Sequence, residues 1–370
     1  MTSRREFLIW TTAAGVVAAE SLRGAHAAKA NPGLDESRVT RDGVVQTVLG
    51  SIDASKLGFT LTHEHVVPAD DEAPGSRKTF SSRAISVADA VDKLKAARDA
   101  GISTVVDLSP SDAGRDVRFA EEVSRKSGMQ IVVCTGQRLV PPELRNRTTA
   151  ELTELFIKKI EQGIDDTDIK AGVIKAATVS GGVTVFEERV LRAAARASKA
   201  TGLPIETHSN SRLRGGIEQA EIFEAEGVSP ARVSIGHSDD TDDMDYLIGL
   251  AQRGFTLGMD HAFWGMAPGA TLPWQKRVKN IQRLIDAGFV DKIFFSNDWV
   301  HGDVERDTVN PDGMLFTIRK TIPYLKQLGV SERQIRAIAM ENPTRFFSRT
   351  AQRLDAADTR QANQVIPILN

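Results

Sequence analysis

Short apolar runs alternate with amphipathic helical stretches from residue 59 to residue 328, and no other feature constrains the fold as strongly. In runs such as Val105-Val106-Asp107-Leu108 the apolar residues are nearly continuous, which is typical of parallel strands covered on both faces. Strands are predicted at 59–65, 103–109, 131–136, 171–178, 204–209, 233–237, 255–260 and 293–298. Helices are predicted at 86–100, 114–127, 149–163, 185–201, 214–226, 242–253, 274–288 and 313–328.

Eight strand–helix pairs in unbroken order favour an α/β fold of the (β/α)8 TIM-barrel type over an open doubly wound sheet. The predicted barrel domain spans residues 46–350 and begins near a small hairpin that starts at Val44. A last helix, about 331–347, is expected to pack outside the barrel, and residues 351–370 are predicted to be a polar tail.

The first residues are interpreted as an export signal. The pair Arg4-Arg5 precedes a mildly apolar run, 7–19, and the small-x-small site Ala25-His26-Ala27. This pattern is typical of a twin-arginine signal peptide, whereas the run is short for a membrane anchor, which is the alternative. We expect residues 1–27 to be cleaved, 28–45 to be a linker, and the mature protein to be periplasmic or exported. Peripheral association with a membrane is left open.

Charge and cysteine content limit the partners and the crosslinks that this chain can have. The formal net charge is −2 and no basic stripe is present, so a nucleic-acid partner is not indicated. Cys134 is the only cysteine, so an intrachain disulfide is excluded.

Potential metal ligands stand at the carboxyl ends of the predicted strands. These ends meet at one face of a (β/α)8 barrel, where active sites form. Five of the six histidines after residue 27 are at strand ends, and His301 follows the eighth strand. This placement predicts a metal site. The strand-end residues are His63, His65, Lys175, His208, His237, Asp260, His261 and Asp298.

Alternation along the first strand assigns two roles to three neighbouring residues. His63 and His65 point to one face and can share a metal ion, whereas Glu64 points the other way. We therefore expect Glu64 to be structural support rather than a ligand or the catalytic base.

Lys175 stands within the apolar fourth strand, where an unpaired ammonium is costly. One remedy is a buried carboxylate partner. The other is carboxylation by CO2 to N6-carboxylysine, an anionic ligand that can bridge two metal ions. Four histidines and Asp298 supply one negative charge against two divalent ions, which favours the second remedy.

The chain resembles the phosphotriesterase family of the amidohydrolase superfamily, the family of the bacterial organophosphate hydrolases (aryldialkylphosphatases). The resemblance covers about residues 42–348. It is carried by Thr60-Leu61-Thr62-His63-Glu64-His65, Gly114-Arg115-Asp116, Gly172-Val173-Ile174-Lys175, Thr207-His208, Ile235-Gly236-His237-Ser238-Asp239-Asp240-Thr241-Asp242, Ser296-Asn297-Asp298-Trp299, Asn310-Pro311-Asp312-Gly313 and Glu341-Asn342-Pro343.

The resemblance implies a dinuclear metal centre. It places His63, His65 and Asp298 on the more buried metal ion and His208 and His237 on the more exposed one, with carboxylated Lys175 as the bridge. The ions are expected to be zinc, with cobalt or manganese as substitutes. A homodimer is implied as well.

The implied mechanism is attack on an ester by a hydroxide shared between the two ions. Asp298 accepts the proton, and the resemblance implies that His261 and Asp240 pass it outward. Asp240 has an alternative role as a helix N-cap in Ser238-Asp239-Asp240-Thr241.

The predicted substrate pocket departs from the best-known organophosphate-degrading members, which carry an aromatic pair after the third-strand Thr-Gly. Here Thr135-Gly136 is followed by Gln137 and Arg138, and Arg138 is expected to bind substrate oxygens unless it points away from the pocket. Phe263 and Trp264 are expected to line an apolar leaving-group pocket.

Three functions follow. The first is phosphotriester hydrolysis, and the second is lactone or carboxylic-ester hydrolysis by the same centre. The lactonases carry a tyrosine in the third-strand loop; Tyr246 and Tyr324 lie elsewhere, which favours the first. The third is a periplasmic binding protein, against which the complete ligand set argues.

Overall fold

A computed structural model describes residues 43–68, 82–139, 141–179 and 181–349. The predicted signal peptide 1–27, nearly all of the linker 28–45 and the tail 351–370 lie outside these residues. Within them, no helix is long and apolar enough to cross a membrane.

Eight parallel strands form a nearly closed barrel, which confirms the predicted (β/α)8 fold. Each strand pairs in parallel with the next along the chain. The segment after the last strand lies beside the first strand, where the Asp298 N–H donates to the His63 carbonyl oxygen at 2.9 Å. The strands are β3 (Thr60–Glu64), β4 (Thr104–Asp107), β5 (Gln130–Gly136), β6 (Val173–Ala177), β7 (Ile205–His208), β8 (Val233–Ile235), β9 (Thr256–Met259) and β10 (Ile293–Phe295).

Helices cover the outside of the barrel and bury the outward-facing strand residues in one large apolar core. Two of these helices begin at reciprocal capping boxes, one formed by Thr148 with Glu151 and the other by Thr184 with Glu187. The helices are α1 (Arg83–Asp99), α2 (Val117–Ser127), α3 (Thr149–Glu161), α4 (Val185–Thr201), α5 (Gly216–Ala225), α6 (Met244–Gln252), α7 (Trp274–Asp286), α8 (Val304–Val309), α9 (Ile322–Gln327), α10 (Glu332–Arg336) and α11 (Asn342–Phe347).

An antiparallel hairpin, β1 (Val44–Thr47) and β2 (Gly50–Asp53), lies by the amino end of β5, where the Val48 N–H donates to the Ile131 carbonyl oxygen at 2.9 Å. Its Val45 packs in a second apolar cluster with Cys134 and Phe347. The N–H of Val44 donates to Arg349, and that of Arg349 donates to Val44. The fold therefore begins by Val44, slightly before the predicted end of the linker at residue 45.

The predicted helix 313–328 is helical from Gly313 to Gln327, but it is not α-helical throughout. Helix α8 precedes it, and a π-helical segment, Thr317–Thr321, leads into α9. Pro323 stands in the first turn of α9 and offers no N–H, so the regular hydrogen-bond ladder is interrupted there. The same arrangement divides the predicted helix 331–347, where a π-helical segment precedes α11 and Pro343.

Candidate metal centre

The carboxyl ends of the barrel strands bring the predicted ligands together. His63 is the last residue but one of β3, Lys175 lies in β6, and His208 is the last residue of β7. His237 and Asp298 lie just past β8 and β10, with left-handed φ angles of 57° and 48°. A non-glycine residue with positive φ is uncommon and costs free energy, and such positions cluster at functional sites.

One group of possible ligands joins the two ends of the sheet. His63, His65 and Asp298 each offer one ligand atom within 4.8 Å of the others. The Oδ1 of Asp298 lies 3.1 Å from His65 Nε2 and 3.8 Å from His63 Nε2. On the other side of the His65 ring, Nδ1 lies 2.8 Å from the Ser109 hydroxyl, which orients the ring with Nε2 toward the cluster.

A second pair of rings lies beside this group. His237 Nε2 and His208 Nδ1 face each other at 2.7 Å, while His237 Nδ1 lies 2.8 Å from Asp260 Oδ1. Burial lowers the pKa of both imidazoles, that of His208 well below its usual range. Neutral imidazoles whose second nitrogen is held by a carboxylate or hydroxyl are the form that binds metal ions.

Lys175 lies among these ligands and is 1% exposed. Its Nζ lies 2.7 Å from His63 Nε2, and burial lowers the pKa of the ammonium. The nearest carboxylate along the register is Glu206 on β7, whose oxygens accept no hydrogen bond from the described residues. Lys175 makes no ion pair with any carboxylate in the described ranges. Asp298, Asp260 and Glu206 nevertheless lie close enough to favour the ammonium form, so a buried carboxylate partner stays an alternative to carboxylation.

A relay-like row of side chains leads outward from Asp298. Its Oδ2 lies 3.0 Å from His261 Nε2, and His261 Nδ1 lies 3.1 Å from Asp240 Oδ2. Burial alone lowers the pKa of His261, but Asp240 and Asp298 together raise it to about 10. The buried Arg277 binds the other oxygen of Asp240. The N-cap of α6 is Asp243, so Asp240 does not take its alternative capping role.

Glu64 faces away from the cluster, as predicted, and ties the first strand to the last. One oxygen accepts from Ser296 and from both N–H donors of Asn297, and the other accepts from the Trp299 N–H at 2.7 Å. Burial raises the pKa of Glu64 to about 8 despite these donors. Its role is to hold the segment that carries Asp298.

The predicted pocket residues differ in exposure. Phe263 is 1% exposed and packs against Phe316, so its ring belongs to the core. Trp264 is partly buried, with its ring centre 5.7 Å from that of His261. Arg138 is partly buried, and its N–H donates to Asp112 at 3.2 Å. Substrate binding by all three stays a prediction.

Two arginines at the site were not predicted, and Asp260 was predicted at a strand end but given no role. Asp260 lies between His63 Nδ1, at 3.0 Å, and His237 Nδ1. Arg277 reaches Asp240 from α7, and Arg306 reaches Asp298 from α8. Neither arginine is at a strand end. His301, in turn, lies apart from the cluster and contacts Asp89 on α1 at 2.9 Å.

Comparison with known proteins agrees with this geometry. The family model of the phosphotriesterase family matches residues 43–347. The chain belongs to the phosphotriesterase family. An aryldialkylphosphatase of Saccharolobus solfataricus is 36% identical over 310 residues, which cover 80% of this chain and 97% of the relative. A phosphotriesterase homology protein of Mycobacterium tuberculosis is 35% identical over 322 residues, covering 82% and 98%. An N-acetyltaurine hydrolase of Danio rerio is 25% identical over 344 residues, covering 83% and 98%.

This member of the phosphotriesterase family is a hydrolase, and the family depends on metal ions. The donor set fits such ions, because imidazole nitrogens with lowered pKa values, the Lys175 amine and the Asp298 carboxylate converge on one space. His63 Nε2 faces Lys175 Nζ, and His208 Nδ1 faces His237 Nε2, each at 2.7 Å. The group His63, His65 and Asp298 matches the predicted site for the more buried ion.

Proposed function

We propose that this protein is a dinuclear metal-dependent hydrolase of the phosphotriesterase type. His63, His65 and Asp298 would hold the more buried ion, and His208 and His237 the more exposed one. Lys175, carboxylated on Nζ, would bridge them. Zinc suits a site of imidazoles and carboxylates, and cobalt or manganese can replace it.

Two bound ions would supply water activated near neutral pH and would polarise the P=O or C=O bond of the substrate. The remaining steps belong to the chain. Asp298 Oδ2 would accept the proton released during attack. Bound metal ions would offset the charge of Asp298 and so lower the pKa of His261, whose neutral Nε2 would then take the proton while Asp240 on Nδ1 stabilises the imidazolium. Arg277 holds Asp240 in place from behind.

The observation that carries this proposal is the row Asp298–His261–Asp240, with successive contacts of 3.0 and 3.1 Å. Asp298 belongs at once to a group of possible metal ligands and to this row. A protein that only bound a ligand would gain nothing from a proton path beside its metal centre. The arrangement therefore favours turnover over the binding-protein alternative.

A phosphotriester of the aryldialkyl type is the first candidate substrate. It is supported by the aryldialkylphosphatase of Saccharolobus solfataricus, at 36% identity. A lactone or other carboxylic ester is the second candidate, because the same centre can attack a carbonyl group. The N-acetyltaurine hydrolase of Danio rerio indicates that related chains cleave acyl bonds as well.

A side-by-side kinetic panel with the metal-loaded protein tests the proposal. It compares a nitrophenyl phosphotriester, an aryl ester and several lactones. We expect turnover of the phosphotriester, with loss of activity after chelation and recovery on adding zinc. Turnover confined to lactones would favour the second candidate. No turnover of any substrate by the loaded protein would contradict both.

We also propose export by the twin-arginine route and assembly as a homodimer. Export would allow the protein to fold around its metal ions before it crosses the membrane. Activity in the periplasmic fraction that is lost in an Arg4→Lys, Arg5→Lys double variant would support the route. A monomer by light scattering would contradict the homodimer.

A further inference from the structure

Arg306 on α8 is a cation at the site that contacts Asp298 and takes no proton itself. Its Nη1 donates to the carbonyl oxygen of Asp298 at 2.8 Å and to Oδ2 of the same residue at 3.3 Å. Its side chain is 24% exposed, so one side of the guanidinium can be reached from solvent.

Neighbours hold this guanidinium in a fixed orientation. The face of the Trp264 ring lies under it, with 4.7 Å between the ring centre and Cζ. Asp303 Oδ2 lies 3.1 Å from Nε. A guanidinium stacked on an aromatic ring and braced at Nε loses little conformational freedom when it binds a further acceptor.

Unused donors remain at this position. Within the described residues, both hydrogen bonds of the Arg306 side chain are donated by Nη1, so the N–H groups of Nη2 are left for another acceptor. The indole Nε1 of Trp264 is buried and also makes no hydrogen bond to the described residues. Of these donors, the Nη2 groups belong to a side chain that is 24% exposed, and an incoming oxygen would pair with them.

The positive charge of Arg306 is also only partly balanced by its neighbours. Asp298 and Asp303 are the carboxylates in contact with the guanidinium. Asp298 is a proposed metal ligand, so its charge is answered mainly by the metal centre. Arg306 is then balanced by Asp303 alone, and Asp303 is itself engaged as the N-cap of α8.

We infer that Arg306, backed by Trp264, binds an anionic group on the leaving arm of the substrate. The inference rests on the proposed hydrolase function and narrows its substrate class. The true substrate is an ester whose leaving group carries a carboxylate, sulfonate or phosphate. Arg306 is a specificity-determining residue, since the bond that breaks is activated elsewhere.

Matched substrates test this inference. The first pair consists of two diethyl phosphotriesters with a 4-nitrophenol leaving group. One leaving group carries a carboxylate on its ring, and the other carries the neutral carboxamide at the same position. Two aryl acetates carry the same pair of leaving groups. The ratio of kcat/KM for carboxylate over carboxamide is measured with the metal-loaded wild type, Arg306→Gln, Arg306→Lys and the control Arg214→Gln. Arg214 is an exposed arginine paired with Asp243, and the control reports general electrostatic attraction.

The wild type should prefer the carboxylate by about ten- to a hundred-fold, mainly through KM, as expected for a charge-assisted contact. Arg306→Gln should abolish most of this preference, Arg306→Lys should keep part of it, and Arg214→Gln should leave it intact. Because a ratio is compared, effects of the substitution on Asp298 cancel.

A ratio near one in the wild type, or a preference that survives in Arg306→Gln, overturns the anion site while leaving the hydrolase function standing. The wild-type ratio decides even where Arg306→Gln fails to fold. Absence of turnover on all substrates contradicts the hydrolase function itself, and the anion site with it.

Discussion

His261 Nε2 lies 3.0 Å from Asp298 Oδ2, and the opposite nitrogen of the same ring lies 3.1 Å from Asp240. One imidazole thus connects a proposed metal ligand to a carboxylate that faces away from the metal centre. The ring is also stacked on His237, with 3.7 Å between ring centres. These contacts hold the ring in position, and the two carboxylates raise the pKa of His261 in the metal-free protein.

Asp298→Asn should abolish most turnover while the protein stays folded. An amide cannot accept the proton, so kcat should fall on the order of a hundred- to ten-thousand-fold. Steady-state kinetics and circular dichroism provide the measurements. Asp286→Asn, an exposed carboxylate at the end of α7, is the control. Retention of most activity in Asp298→Asn would refute its role as proton acceptor.

Lys175→Ala should lose bound metal and activity, because the bridging carboxylate is removed. Short carboxylic acids such as propionate should restore part of both by occupying the vacated space. Lys170→Ala, at the partly exposed start of the same segment, should change neither. If metal remains bound in Lys175→Ala and acids restore nothing, the carboxylated bridge is wrong.

The metal-free protein should lose stability as the pH rises above neutrality. The pKa of His261 is raised to about 10 in the folded state, above its ordinary 6.5. Its stabilising contribution is therefore fully present below about pH 6.5 and is lost as the pH approaches 10. Denaturation at several pH values should show this decline, and Asp240→Asn should weaken it. Titration of His261 near 6.5 by NMR would contradict the expectation.

Arg277→Met should destabilise the fold and slow turnover together. Removing one partner of a buried ion pair costs about 3–5 kcal/mol, because Asp240 would keep an uncompensated charge. Arg214→Met removes an exposed pair with Asp243 and should cost at most about 1 kcal/mol. Chemical denaturation compares the two variants. Equal costs would show that Arg277 does not hold Asp240 in the way its contacts indicate.

The sequence was most informative where a local period fixes a position. Alternation along β3 placed His63 and His65 on one face and Glu64 on the other, and the barrel rule placed the remaining strand ends beside them. Arg277 and Arg306 escaped prediction because they reach the site from helices α7 and α8. Their contacts depend on how those helices pack, and no sequence period encodes that packing.

The π-helical segments were missed for a related reason. Amphipathic spacing continues across residues 317–327, whereas the hydrogen-bond pattern changes before Pro323. Proline predicts a disturbance of the helix, and the surrounding core decides which form it takes.

Metal stoichiometry tests the central claim most directly. The full-length protein, purified without chelator and in the presence of bicarbonate, should contain about two divalent ions per chain by elemental analysis, as expected for a bridged dinuclear centre. The Lys175→Ala variant prepared in parallel should contain clearly fewer. Less than one ion per chain in the wild type, after incubation with zinc, would contradict a dinuclear centre at the mouth of this barrel.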